Sequence, residues 1–128
     1  MKKEAKIVAL ILAAGSSARM GALKPLLPLG PSTLLEEALN RFLEAGIKDV
    51  RVVLGYRAEE IAAVPARSGT AWILNSGYER GMLSSILKGV ESFDETVEAF
   101  FVLPADIPLI KPETIQVLTE TFQRNHPS

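Results

Sequence analysis

Four short stretches of the chain are apolar throughout or nearly so: Ile7 to Leu12, Val50 to Leu54, Thr70 to Leu74 and Ala99 to Leu103. A strand with one wet face alternates polar and apolar residues, whereas an unbroken apolar run expects cover on both faces, as inside a parallel sheet. Between these runs the spacing becomes helical. Thr33 with Glu36 three residues on fits a capping box, and Leu34, Leu35, Ala38, Leu39, Phe42 and Leu43 then recur at helical spacing up to Gly46, a C-terminal stop. Gly55-Tyr56-Arg57 turns into a short helix, Ala58 to Val64, that Pro65 closes. After a loop from Asn75 to Gly81, a third helix carries Met82, Leu83, Ile86, Leu87 and Val90 on one face. A last helix starts with Pro112 in its first turn, where a missing N–H costs nothing, and turns Ile115, Leu118 and Phe122 inward. Leu26 to Pro31, interrupted by proline and glycine, reads as an extended connector.

Strand and helix thus alternate four times without an internal repeat. The pattern predicts a single α/β domain over 1–128: a Rossmann-like three-layer α/β/α sandwich with a mostly parallel sheet and right-handed crossovers. In the usual order of such a sheet the first and fourth strands lie side by side where the winding reverses, and ligands bind beyond the carboxyl ends of the strands there. Those two ends carry Gly15 and Asp106.

Composition narrows the chemistry. Fourteen basic residues stand against fifteen acidic ones with no Lys/Arg cluster, so the electrostatic footprint of a nucleic-acid binder is missing, while a single nucleotide still fits. The absence of cysteine excludes disulfides, zinc-thiolate sites and thiol nucleophiles, and the one histidine is His126. A metal here would rest on carboxylates and water, which favours Mg²⁺ over zinc. Met1-Lys2-Lys3 before an apolar run loosely resembles a secretory signal, but Glu4 and Lys6 interrupt the lead-in, and no run approaches a membrane span. The expectation is a cytoplasmic protein with no membrane segment.

The stretch from Leu12 to Gly21, continuing to Lys24-Pro25-Leu26-Leu27, empties a strand into small residues. Small side chains let backbone N–H groups approach an anion, and Arg19 and Lys24 add full positive charge; the bland alternative is a surface turn with two solvated cations. Two familiar phosphate motifs fail. The P-loop needs Gly-Lys-Ser/Thr five residues after its first glycine, where Met20 stands after Gly15, and the dinucleotide fingerprint needs a glycine at Ser17.

The motif Leu12-Ala13-Ala14-Gly15-x-Ser17-x-Arg19-Met20-Gly21-x-x-Lys24-x-Leu26-Leu27 resembles the opening of the MobA-like NTP transferase superfamily, and most of all its molybdenum cofactor cytidylyltransferase branch. Asn75-x-x-Tyr78-x-x-Gly81-Met82-x-Ser84-Ser85 and Leu103-Pro104-Ala105-Asp106-Ile107-Pro108 resemble that branch too. The resemblance implies a nucleotide-diphospho-sugar transferase-like fold and Mg²⁺-dependent transfer of a nucleoside monophosphate, CMP from CTP, to a phosphate-bearing acceptor such as molybdopterin, with release of pyrophosphate. It implies nucleotide contacts at Leu12, Ala13, Ala14, Gly15, Ser16, Ser17, Arg19, Lys24, Gly81, Ser84 and Ser85. Arg19, Lys24 and Asp106 would be catalytic, the two cations holding the triphosphate and Asp106 binding the metal.

Plainer readings stand beside these. Asp106 between prolines can be a turn residue, Ser84 and Ser85 can be helix caps, Asn75 and Tyr78 are weaker candidates, and Trp72 reads as packing. The Ala13-Ala14 pair resembles the cytidylyl branch, whereas guanylyl transferases more often have a second glycine there; sugar-phosphate transferases share the loop and the aspartate. A nucleotide-binding module without turnover is the alternative function. Family members ordinarily continue past the last helix with further strands and a second acidic metal ligand, and no carboxylate follows Glu120 here. The resemblance therefore implies a chain short at its carboxyl end. The fourth strand, apolar on both faces and near a sheet edge, expects a cover: more chain, a second subunit in a homo-oligomer, or aggregation.

Overall fold

A computed structural model describes residues 5–15, 24–105 and 110–125, with Lys24 in its backbone only. In chain order the elements are β1 (Lys6–Ala13), β2 (Pro28–Leu29), β3 (Ser32–Thr33), α1 (Leu34–Glu44), β4 (Asp49–Leu54), α2 (Ala58–Ile61), α3 (Ala63–Arg67), β5 (Ala71–Leu74), α4 (Met82–Glu91), β6 (Val97–Pro104) and α5 (Pro112–Asn125). The four apolar runs form one parallel sheet of order β5-β4-β1-β6. β1 and β6 are neighbours, so the winding reverses between them, as the alternation of elements predicts.

β1 is the axis of the molecule because it is covered on both sides. Ile7, Ala9, Ile11 and Ala13 point into a core built with Leu35, Ala38, Leu39 and Phe42 of α1, Ile61, Val64 and Ile115. Val8, Leu10, Leu12 and Ala14 point the other way, against Ile86 and Val90 of α4. Helices thus flank both faces of the sheet. The ring of Phe42 meets that of Phe101 at 5.5 Å, linking α1 to β6. Thr33 caps α1 as expected, its hydroxyl accepting from the Glu36 N–H.

Several elements differ from the sequence expectation. Pro65 does not close a helix: the chain breaks at Ala62 and restarts as α3, so Pro65 falls in a first turn, where its missing N–H has no intrahelical partner to lose. The connector before α1 is a tight antiparallel pair, Pro28 with Thr33 and Leu29 with Ser32, turning at Gly30 with φ +62°. α4 is rolled relative to its apolar stripe. Ser85 and Gly89 are its buried residues, while Met82, Leu83 and Leu87 are exposed. The cause is close packing on β1: a Cβ at Gly89 would stand 2.6 Å from a methyl of Leu10. In α5, Ile115 is fully buried and Phe122 packs on the core, but Leu118 is exposed because the helix leans on α1 along a narrow stripe.

β6 occupies an edge of the sheet, and on its α4-side face Phe100 and Val102 are exposed. No helix among the described residues is long and apolar enough to cross a membrane.

Candidate functional site

The carboxyl ends of the strands are tied together by backbone hydrogen bonds. The Tyr56 N–H, just past β4, donates to the Ala14 carbonyl at 3.0 Å, and the Asn75 N–H, just past β5, donates to the Leu54 carbonyl at 2.7 Å. The Ala105 N–H, just past β6, donates to the Leu12 carbonyl at 2.9 Å. Buried Ala105 is therefore fixed to the end of β1 at the point where the winding reverses, one residue before Asp106 and three before Gly15 along the respective chains.

Leu12, Ala13 and Ala14 are buried, so any ligand contact they make is through the backbone. Gly15 is exposed, and a Cβ built on it meets nothing within 4 Å among the described residues. Ser16, Ser17, Arg19 and Asp106 lie outside the described residues. The backbone of Lys24 opens a short 3-10 turn, Lys24–Leu26, anchored by buried Pro25 and by Leu26 at the margin of the core.

A second wall comes from the segment between β5 and α4. Gly81 stands before α4 with φ +102°, a conformation that favours glycine, and space around its Cβ position is open. Ser84 Oγ donates to the Gly81 carbonyl at 2.7 Å. Asn75, which is buried, sends its Nδ2 to Ser84 Oγ and Ser85 Oγ, both at 3.0 Å, and accepts the Gly77 N–H on Oδ1 at 3.0 Å. Tyr78 lies across Gly55 so closely that a Cβ there would sit 2.6 Å from its own, and the Tyr56 ring meets Tyr78 edge-on at 6.2 Å. Sequence reasoning had Asn75 and Tyr78 only as weak contacts and gave Gly55 no part. The signal available was a glycine just past a strand and an asparagine just past the next.

The shifted carboxyl groups lie at the other end of the sheet, while just past β4 the Glu60 carboxylate raises the pKa of the exposed Arg57 guanidinium. The Arg51 guanidinium, hydrogen-bonded to Asp49 at the start of β4, holds that carboxyl below its usual range, and Thr96 does the same for Asp94. Among the described residues no group of three His, Cys, Asp or Glu could hold a metal ion. A metal at the carboxyl end would depend on Asp106 and on oxygens of the ligand itself, a donor set that suits Mg²⁺, which takes one or two carboxylates plus substrate phosphates. Trp72, on edge strand β5, is 45% exposed and so contributes less packing than expected.

The bifunctional protein GlmU of Geotalea daltonii is 29% identical over 122 residues, which cover 94% of this chain and 27% of that one. The 2-aminoethylphosphonate cytidylyltransferase of Lancefieldella rimae is 30% identical over 109 residues, 80% of this chain and 44% of that one. Rv0371c of Mycobacterium tuberculosis has the same fold, with a TM-score of 0.82 at 24% identity over 95% of this chain and 62% of that one; it has also been solved as a manganese complex. The chain thus spans about a quarter of the GlmU relatives it matches. A family model, MobA-like NTP transferase domain, matches residues 9–128, and the chain belongs to that family.

Proposed function

We propose that residues 1–128 form one NTP-transferase-like domain, the N-terminal portion of the family fold. In this reading it moves CMP from CTP to a phosphate-bearing small molecule with Mg²⁺ and releases pyrophosphate. The observation that carries the reading is the Ala105 to Leu12 hydrogen bond, which holds the chain entering Asp106 against the strand that ends in the Gly15 loop. The family match supports nucleotidyl transfer, and a cytidylyltransferase among the relatives supports CTP. The acceptor is a phosphate or phosphonate, with molybdopterin suggested by the sequence motifs alone.

Such a transfer asks little covalent chemistry of the protein. An acceptor oxygen attacks the α-phosphorus of the NTP, the bond from that phosphorus to the bridging oxygen breaks, and pyrophosphate leaves with the electron pair. The protein must hold the reactants in line and offset the negative charge that develops. Leu12, Ala13 and Ala14 present backbone to the nucleotide; Gly15, Ser16 and Ser17 cradle phosphates; Arg19 and Lys24 hold the triphosphate. Gly81, Ser84 and Ser85 form the facing wall. Asp106 is the residue to hold Mg²⁺, which when bound would neutralise phosphate charge.

A pyrophosphate-release assay with CTP, GTP or ATP, Mg²⁺ and phosphorylated acceptors including molybdopterin and 2-aminoethylphosphonate tests the reaction. Release with CTP and one acceptor is expected, and Asp106→Asn should abolish it while sparing metal-free CTP binding. CTP binding without release under any acceptor would replace the transferase with a binding module. A cytoplasmic location, and a second copy of the chain on the free β6 edge, belong to the same proposal. Size exclusion that shows a monomer at every concentration would remove the second copy.

A further inference from the structure

The Asn75 side chain is placed where a ligand contact would be expected, yet its hydrogen-bonding capacity is turned inward. Both Nδ2 hydrogens are used, on Ser84 and Ser85, and Oδ1 accepts from Gly77. Its backbone N–H is fixed to Leu54 at the end of β4. Asn75 therefore joins three things: the carboxyl end of the sheet, the turn at Gly77, and the first turn of α4. The first amides of a helix, here those of Met82 and Leu83, have no intrahelical acceptor and face whatever lies beyond the helix start. Gly81, with its positive φ, is the joint at which the direction of that start is set.

We infer that Asn75 is a positioning residue for nucleotide binding, which presets Gly81 and the first turn of α4 against the end of β1 without touching the ligand. The inference rests on the nucleotide-binding reading above. Tyr78 adds to the same device, because it spans from this segment to Gly55 and keeps the segment seated on β4. Without the Asn75 amide the segment samples other arrangements, and apparent affinity falls by the fraction of molecules left in the competent one.

The test is calorimetric titration of the protein with CTP and Mg²⁺, beside amide hydrogen exchange on the nucleotide-free protein. Asn75→Ala is expected to weaken CTP binding about tenfold, as when only a tenth of the folded molecules hold the competent arrangement. It should also speed exchange at Gly77 and at Met82 to Ser84 while the β1 amides stay protected. Ser85→Ala, which removes one of the two acceptors, is the milder variant should Asn75→Ala not fold, and because Ser85 is itself part of the proposed wall it is read by exchange in the nucleotide-free protein, which should speed at Gly77 and at Met82 to Ser84. A purely structural role predicts a lowered Tm with unchanged CTP affinity in the folded protein, and that result overturns the inference. If the wild-type protein binds CTP and folded Asn75→Ala binds equally well, or if Ser85→Ala leaves exchange at Gly77 and at Met82 to Ser84 unchanged, the inference fails while the nucleotide site stands. If the wild-type protein binds no NTP, the reading beneath it fails as well.

Discussion

At the amino end of the sheet, charged side chains join the elements. Arg51 donates from Nε and Nη2 to Asp49 at 2.9 and 2.8 Å, and from Nη1 to the Ser92 carbonyl and hydroxyl at 2.8 and 2.9 Å; its guanidinium lies 5.3 Å from the centre of the Phe93 ring. Lys6 pairs with Asp94 at 3.8 Å nearby. At the carboxyl end, among the described residues, the ties between strand ends are backbone hydrogen bonds and one neutral amide, that of Asn75, and the Arg57–Glu60 ion pair just past β4 stays within one turn of the chain. The difference separates two tasks. Arg51, its charge met by Asp49, fastens β4 to the end of α4 through hydrogen bonds to Ser92 and needs no ligand, whereas among the described residues neutral ties hold the strand ends and the segment from Asn75 to Ser85. In the function proposed above, Arg19 and Lys24 are the cations that hold the triphosphate.

Substitutions at the two ends should divide accordingly. The largest effect on binding is expected from Arg19→Ala and Lys24→Ala, each weakening triphosphate affinity by about 1–3 kcal/mol, the range for charge-assisted hydrogen bonds, with the Tm unchanged. Calorimetry beside a thermal melt reads both, and undiminished affinity in the two variants would return the loop to a solvated turn. Gly55→Ala forces Tyr78 to move, because the new methyl would lie 2.6 Å from the Tyr78 Cβ. Overpacking of this kind costs about 1–3 kcal/mol of stability, and CTP affinity should fall with it because the α4 segment is displaced.

Arg51→Ala is the mirror experiment. Losing its bonds to Asp49 and Ser92 should lower stability by about 1–2 kcal/mol in urea titration and leave CTP affinity alone; a loss of affinity would mean the ends are coupled. The smallest effect is on pH dependence. Arg51 lowers the Asp49 pKa in the folded state, so the pair's stabilisation is present above the ordinary carboxylate pKa and is lost as pH falls through the lowered value. Asp49→Asn should flatten that acid limb by less than about 1 kcal/mol, since the carboxylate is partly in water.

Much of this was readable from the chain. The apolar runs specified strands, and the position of Gly15 and Asp106 after the first and fourth of them pointed to the switch point, which the β1 and β6 pairing bears out. Periodicity was less informative where size mattered more than polarity. Ile86 and Val90 of the expected α4 stripe do pack on β1, but the most buried positions are the small ones, Ser85 and Gly89, because Leu10 leaves no room for a side chain at Gly89, and Met82, Leu83 and Leu87 turn outward. Pro65 misled for a similar reason: proline ends a helix only if it falls past the first turn, and one irregular residue at Ala62 changes which turn it is in. The Asn75 clamp joins residues nine and ten positions apart through side chains, a contact that no short-range pattern encodes.

The central claim is that the carboxyl end of the sheet binds a nucleoside triphosphate. Titration calorimetry with CTP, in the presence and absence of Mg²⁺ and with NADPH as the competing ligand, tests it most directly. Saturable CTP binding that tightens with Mg²⁺, with no heat from NADPH, is the predicted result. Tight NADPH binding with no response to CTP, GTP or ATP would contradict it.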